Sequence, residues 1–275
     1  LIYDTLLQSN KKKIYTKIEG INYAIGNFSE AIAGVLGGLL AVGSIYWPVY
    51  AQTGILFFSI PIALTLVEPQ TNIKNKLTKS FSTILSVVKF AIIDNKKLRW
   101  LIIYSSTMGV ATLSVAWFAQ PFFKEIDLPL AYFGIIWAGL NITAGISSIN
   151  AHHINNTNTI NKTLNYLSLF MFISLVFLGF STSFFGLIFI VIIYLLRGFI
   201  TPILRNAINM NTSSKMRATI LSLRSFIIRT SFALLAPILG LLADDYSLNL
   251  SFYLLAIIIG ITSLISAYRI NILDE

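Results

Sequence analysis

The chain has no cysteine, only two histidines, and few charges: 11% of its 275 residues are Asp, Glu, Lys or Arg, against roughly 25% in an ordinary soluble domain. Each shortage excludes a class of chemistry. Without cysteine there is neither a disulfide framework nor a thiolate metal site. His152 and His153 stand together in a polar stretch, "AHHINNTNTINK", with no Asp, Glu or Cys beside them, so no metal is expected there. No histidine falls inside a long apolar run, and Glu30 is the one acid that does. Neither a carboxylate pair nor a Ser-His-Asp arrangement can therefore be assembled within those runs. No G-x-x-x-x-G-K-[ST] loop occurs to hold a nucleotide. The reading is accordingly not an enzyme, with no catalytic residue, no cofactor and no metal.

What the chain has instead is apolar length. Hydrophobic residues make up 56% and the mean hydropathy is +0.77. They gather in runs of about 20, the length that crosses ~30 Å of hydrocarbon at ~1.5 Å per residue. Eight such runs are expected as transmembrane helices, at 21–43, 46–67, 99–122, 130–150, 163–182, 184–205, 217–243 and 248–269. The fold class is thus an all-α integral membrane protein. Residues 77–93, "LTKSFSTILSVVKFAII", are too interrupted to cross and read as an amphipathic helix lying along the membrane or the bundle.

Charge gives the orientation. With eight crossings both ends lie on one side, and sixteen Lys and Arg residues fall on that side against Lys124 alone on the other. The basic side is expected to be cytoplasmic, with the chain multi-pass in the cytoplasmic (inner) membrane. The formal net charge of +9 is explained by this bias and by contact with anionic lipid, with no nucleic-acid partner.

Internal similarity comes next. "AGVLGGLL" at 33–40 in the first run matches "APILGLLA" at 236–243 in the seventh, with Ala33, Leu36, Gly37 and Leu39 recurring as Ala236, Leu239, Gly240 and Leu242. The first run thus resembles the run six crossings later, as in a protein made of two six-helix halves, where a binding site sits between the halves.

The stretches "LIYDTLLQ", "GNFSEAIAGVLGGLLA", "EPQ" at 68–70 and "RATILSLRSFIIRTSFALLAPILGLLAD" at 217–244 resemble the major facilitator superfamily. The resemblance implies a twelve-helix fold of two halves, of which this chain corresponds to helices five to twelve, from the loop after the fourth helix onward. Residues 1–67 would close the N-terminal half, 68–98 would be the cytoplasmic linker with its amphipathic helix, and 99–275 would be the C-terminal half. The opening without methionine and the Lys-rich start agree with a chain that begins in an inter-helix loop. The family's G-P-x-x-G-G turn of drug and proton antiporters keeps its glycine pair here, Gly37 and Gly38, but not its proline.

Charges inside the runs nominate the working residues. Arg217 and Arg224 lie near the start of the seventh run, where snorkelling explains them. Arg229 is ~18 Å beyond Arg217 along a helix and should face the protein interior or a cavity, since a mid-membrane arginine costs about 2.5–3.5 kcal/mol to insert. Arg197 qualifies by the same depth argument, and the resemblance places it on a cavity-lining helix. Glu30 lies at a similar depth. A carboxylate alone in an apolar interior holds a proton to higher pH, whereas one beside arginine stays ionised and locks two helices. Both uses of Glu30 stay open, as do an acidic partner and an anionic ligand for Arg229. Trp117, Gln120, Asn141 and Tyr194 are further candidates for lining a cavity. Gly34, Gly37 and Gly38 read as helix-packing positions, Pro237 beside Gly240 as a bend with gating potential, and Asp244 as a solvated turn or an external gate. Arg217 joins the gating group.

The expected function is secondary active transport of a small solute by alternating access, driven by protons, with efflux by antiport as one form of it. The expected partners are that solute, protons and membrane lipids, and the full-length protein is expected to be monomeric. The alternative is a polytopic scaffold or sensor that transports nothing.

Overall fold

A computed structural model describes residues 2–44, 46–65, 81–129, 132–157 and 160–273. Among these there are ten α-helices and no strand: α1 (Ile2–Gln8), α2 (Tyr15–Gly43), α3 (Trp47–Leu64), α4 (Phe81–Lys89), α5 (Lys96–Glu125), α6 (Phe133–Thr157), α7 (Ile160–Phe180), α8 (Gly186–Met210), α9 (Ser214–Asp245) and α10 (Leu248–Ile272). A 3-10 turn, Lys12–Ile14, leads into α2, and a π-helical turn, Phe90–Asp94, follows α4.

Local chemistry sets several boundaries. Asn95 caps α5, its Oδ1 accepting from the Leu98 amide at 2.9 Å, and Ser247 caps α10 by accepting from the Leu250 amide at 3.2 Å; each satisfies an N–H that the helix leaves open. Asn10 (φ 57°) and Asp127 (φ 54°) end α1 and α5 in the left-handed region. The next amide in each case returns to a carbonyl five residues back, Lys11 to Leu6 at 2.8 Å and Leu128 to Phe123 at 2.9 Å, the Schellman closure.

Seven of the helices are long and apolar enough to cross a membrane: α3, α5, α7, α8, α9, α10 and the helix over Lys12–Ala41. The eighth, α6, is 25 residues long but more polar, with Asn141, Ser147, Ser148 and Asn150 in its length. The first three are buried where α6 is inserted between α2 and α8, and the exposed Asn150 donates to the Ile146 carbonyl of its own helix. Each side of that sandwich is a close approach through a glycine. Ser148 donates its hydroxyl to the Gly20 carbonyl at 2.9 Å, and a Cβ on Gly20 would lie 2.1 Å from the Ser148 carbonyl oxygen. A Cβ on Gly198 would lie 1.9 Å from the Ser147 hydroxyl and 2.3 Å from the Ala144 oxygen. Small residues at helix crossings do this in membranes, where association depends on packing.

The main core lies among α5, α7, α8 and α10. Tyr104, fully buried there, donates to the Leu164 carbonyl at 2.8 Å and accepts from Ser168 at 3.1 Å. At the other extreme α3 buries no residue and turns Phe57, Phe58 and Leu64 outward, a surface suited to lipid. Of the expected amphipathic segment, the part from residue 81 onward is described. It forms α4 and the π turn, with Val87 and Ala91 buried and Ile84 and Leu85 exposed.

Candidate functional site

Helix α2 begins six residues earlier than its apolar run, at Tyr15, and this brings Glu19 into the bundle. At ~100° per residue, Tyr15, Glu19, Tyr23, Gly26 and Glu30 fall within an arc of ~80°. On α8 the matching stripe is Tyr194, Arg197, Thr201, Arg205 and Asn209, spaced by three or four. The two stripes meet antiparallel. Asn209 donates to the Tyr15 hydroxyl at 2.9 Å, Tyr15 donates to Glu19 at 3.1 Å, Glu19 is ion-paired with Arg205, and the Arg197 Nε donates to the Tyr23 hydroxyl at 2.9 Å. Glu30 carries the stripe onward, acting electrostatically on Arg197 and Tyr194. The Arg197 guanidinium lies over the Tyr194 ring, 5.2 Å from its centroid, and Trp137 meets that ring edge-on at 6.0 Å.

Beside this seam, α2, α5, α8 and α9 line an open cavity of about 360 Å³. Its wall contains Tyr23; Gly109, Thr112, Leu113 and Ala116 from α5; Arg197, Thr201 and Arg205 from α8; and Arg224, Ser225, Ile228 and Arg229 from α9. A second cavity of about 520 Å³ shares Arg205, Arg224 and Ser225 and continues past Glu19 and Asn209 to Arg217 and α1. There Arg217 is ion-paired with Asp4, donates to Ser214 at 3.1 Å and to the Thr212 carbonyl at 3.0 Å, and lies 4.1 Å over the Tyr3 ring.

The arginines of α9 correct one expectation. Arg217 and Arg224 do not snorkel; both are buried, Arg217 against α1 and Arg224 against α5, where it is hydrogen-bonded to the Ser105 hydroxyl and carbonyl. Depth along a helix says nothing of which neighbour covers a face. Arg229 is exposed and lines the cavity, with no hydrogen bond or ion pair among the described residues.

The other candidates scatter. Tyr194 and Asn141 are fully buried and stand outside the cavity wall; Asn141 donates to the Trp137 carbonyl at 3.0 Å. Trp117 and Gln120 are exposed and continue the stripe of Leu113 and Ala116, with Trp117 6.1 Å from the Phe232 ring. Gly34 packs against Trp137, whereas no atom of a neighbouring residue among those described lies within 4 Å of a Cβ built on Gly37, Gly38 or Gly240. Pro237 is inside α9 and Asp244 is exposed at its end. Sequence reasoning missed Tyr23, Glu19 and Asp4. The four-residue spacing of Tyr15, Glu19 and Tyr23 was the available signal for the first two.

Among solved structures the chain is similar to the E. coli fucose:proton symporter, with a TM-score of 0.61 and 16% identity over 82% of this chain. It spans 56% of the length of that symporter chain. The fold is of the major facilitator type, over the part of it that this chain spans. No protein-family model and no curated protein matches the chain. At this identity the likeness is one of fold, so the arginine-lined cavity within the major facilitator fold has to be read from this chain's own residues.

Proposed function

We propose that the protein is a secondary active transporter that moves a small solute across the cytoplasmic membrane by alternating access, coupled to protons, with both ends of this chain cytoplasmic. The observation that carries the reading is the polar cavity lined by four long helices, which shares Arg205 and Arg224 with a second cavity toward α1. A helical bundle built for scaffolding has no need of such cavities, and arginines on membrane-spanning helices that face a cavity mark a solute or ion pathway. In this reading α2 and α3 end the first six-helix half, the segment 68–98 links the halves, and α5 to α10 form the second. The likeness to a sugar:proton symporter supports the solute and proton coupling. Efflux by antiport has no independent support.

Glu30 is the proposed proton carrier, since it acts electrostatically on Arg197, which lines the cavity, and has no hydrogen bond among the described residues that would fix it as a structural lock. The test is proton movement in proteoliposomes holding a pH-sensitive dye, with fucose, succinate, glucose 6-phosphate and ethidium offered in turn. Solute-dependent proton flux that Glu30→Gln abolishes while leaving solute exchange intact supports the reading. Folded protein that moves protons with none of the four counts against it, and unfolding of Glu30→Gln returns Glu30 to a structural role.

A further inference from the structure

Four arginines reach one cavity without four carboxylates to balance them. Arg197, Arg205, Arg224 and Arg229 line it. Glu19 is ion-paired with Arg205, and Glu30 acts on Arg197 across the α2–α8 seam. Four positive charges less two negative leave +2. The remaining acids of the lining helices, Glu125, Asp244 and Asp245, stand at the ends of α5 and α9. Asp244 is about 22 Å beyond Arg229 along the helix.

The geometry of the unbalanced cations is that of a clamp. Ser105 holds Arg224 through its hydroxyl and its carbonyl, which orients the guanidinium without supplying charge and leaves one terminal nitrogen for the cavity. Arg229 follows about 7.5 Å further along α9 and has no partner among the described residues. On the α8 wall Arg197 lines the cavity, its Nε held by the neutral Tyr23 hydroxyl and its guanidinium over the Tyr194 ring. Guanidinium groups stay charged in any environment and present paired donors that match carboxylate and phosphate oxygens. Thr112, Thr201 and Ser225 add hydroxyls to the same wall.

We infer that the cavity binds a small soluble dianion, a dicarboxylate or a phosphate monoester, clamped between Arg197 on α8 and Arg224 and Arg229 on α9. This deepens the transporter reading and rests on it for the role of the cavity as a substrate site; binding itself is measurable without transport. A volume of about 360 Å³ is at the small end of ligand sites, which suits a metabolite-sized anion.

The test is thermal unfolding of the protein as encoded, in neutral detergent, with millimolar succinate or glucose 6-phosphate. Chloride at equal ionic strength, monoanionic butyrate and neutral fucose are the controls. A rise in Tm with a dianion that exceeds every control is expected, and Arg229→Gln should weaken that dianion roughly tenfold or more, with Arg229→Lys recovering part of the loss. Should Arg229→Gln fail to fold, Arg224→Lys, which keeps the charge but loses the fork, provides the second variant and should weaken the dianion several-fold. Equal shifts with chloride, or none, overturn the proposal. So does protection by phosphatidylglycerol with none by either soluble dianion, which assigns the anion to a lipid headgroup. Dianion binding without any flux sinks the transporter reading and leaves this site standing; proton-linked movement of fucose or ethidium with no dianion binding does the reverse.

Discussion

The seam between α2 and α8 and the cavity beside it use the same residue type in opposite ways. In the seam Arg205 is matched by Glu19, as Arg217 on α9 is by Asp4 of α1, while Arg197, held by the neutral Tyr23 hydroxyl, belongs to the seam and the cavity alike. Across the cavity Arg224 is oriented by a neutral serine and Arg229 by no group among the described residues. A buried ion pair is costly to break because it leaves one charge desolvated and alone, so the seam reads as structure. An unmatched cation facing a cavity stabilises nothing in the empty protein, so the cavity reads as a place for something else.

The largest effect expected on stability is at the matched end of α9. Arg217→Ala removes a buried guanidinium that serves Asp4, Ser214, the carbonyls of Asn209 and Thr212, and the Tyr3 ring at once. It should cost about 3 kcal/mol, read as a lower Tm in detergent and as cleavage of the freed α1 by protease. If α1 stays protected and Tm holds, the ion pair is not what docks it. Glu19→Gln comes next. It keeps the volume and removes the charge, but the Arg205 side chain is 36% exposed and water can take up part of the loss, so about 1–2 kcal/mol is expected. A cost equal to that of Arg217→Ala would mean that the seam is drier than its exposure indicates.

The helices were legible in the sequence because hydropathy reports burial in lipid directly. The eight apolar runs match α2, α3 and α5 to α10 to within a few residues at most ends. Two discrepancies are larger, the late end of α6 and the early start of α2, and the second has a physical cause. Averaging along the chain penalises Lys17 and Glu19, yet Glu19 shares a face with Tyr15 and Tyr23 and is satisfied by α8. The polarity is local to one side of the helix, and an average cannot see sides. The same limit applies to the cavity. Counting residues puts Glu30 and Arg197 at one depth and Arg229 deeper than Arg224, but depth is one coordinate of two. The facing of Arg224 toward Ser105, and the hydroxyl of Tyr23 beside Arg197, depend on how α2, α5 and α9 rotate against α8.

The smallest expected effect is the one that sharpens the comparison most. Arg229→Gln removes a full charge from the middle of α9, a change that would be severe in the seam. With no hydrogen bond or ion pair to lose among the described residues, the side chain should leave stability within about 0.5 kcal/mol of the parent in the absence of ligand. A slight gain is also consistent, because Arg224 then loses a like charge one and a half turns away. A fall of about 2 kcal/mol or more would mean that an acid holds Arg229 in the folded protein. That result would move Arg229 from the cavity's unmatched set to the seam's matched one, and the surplus of +2 would no longer call for a ligand.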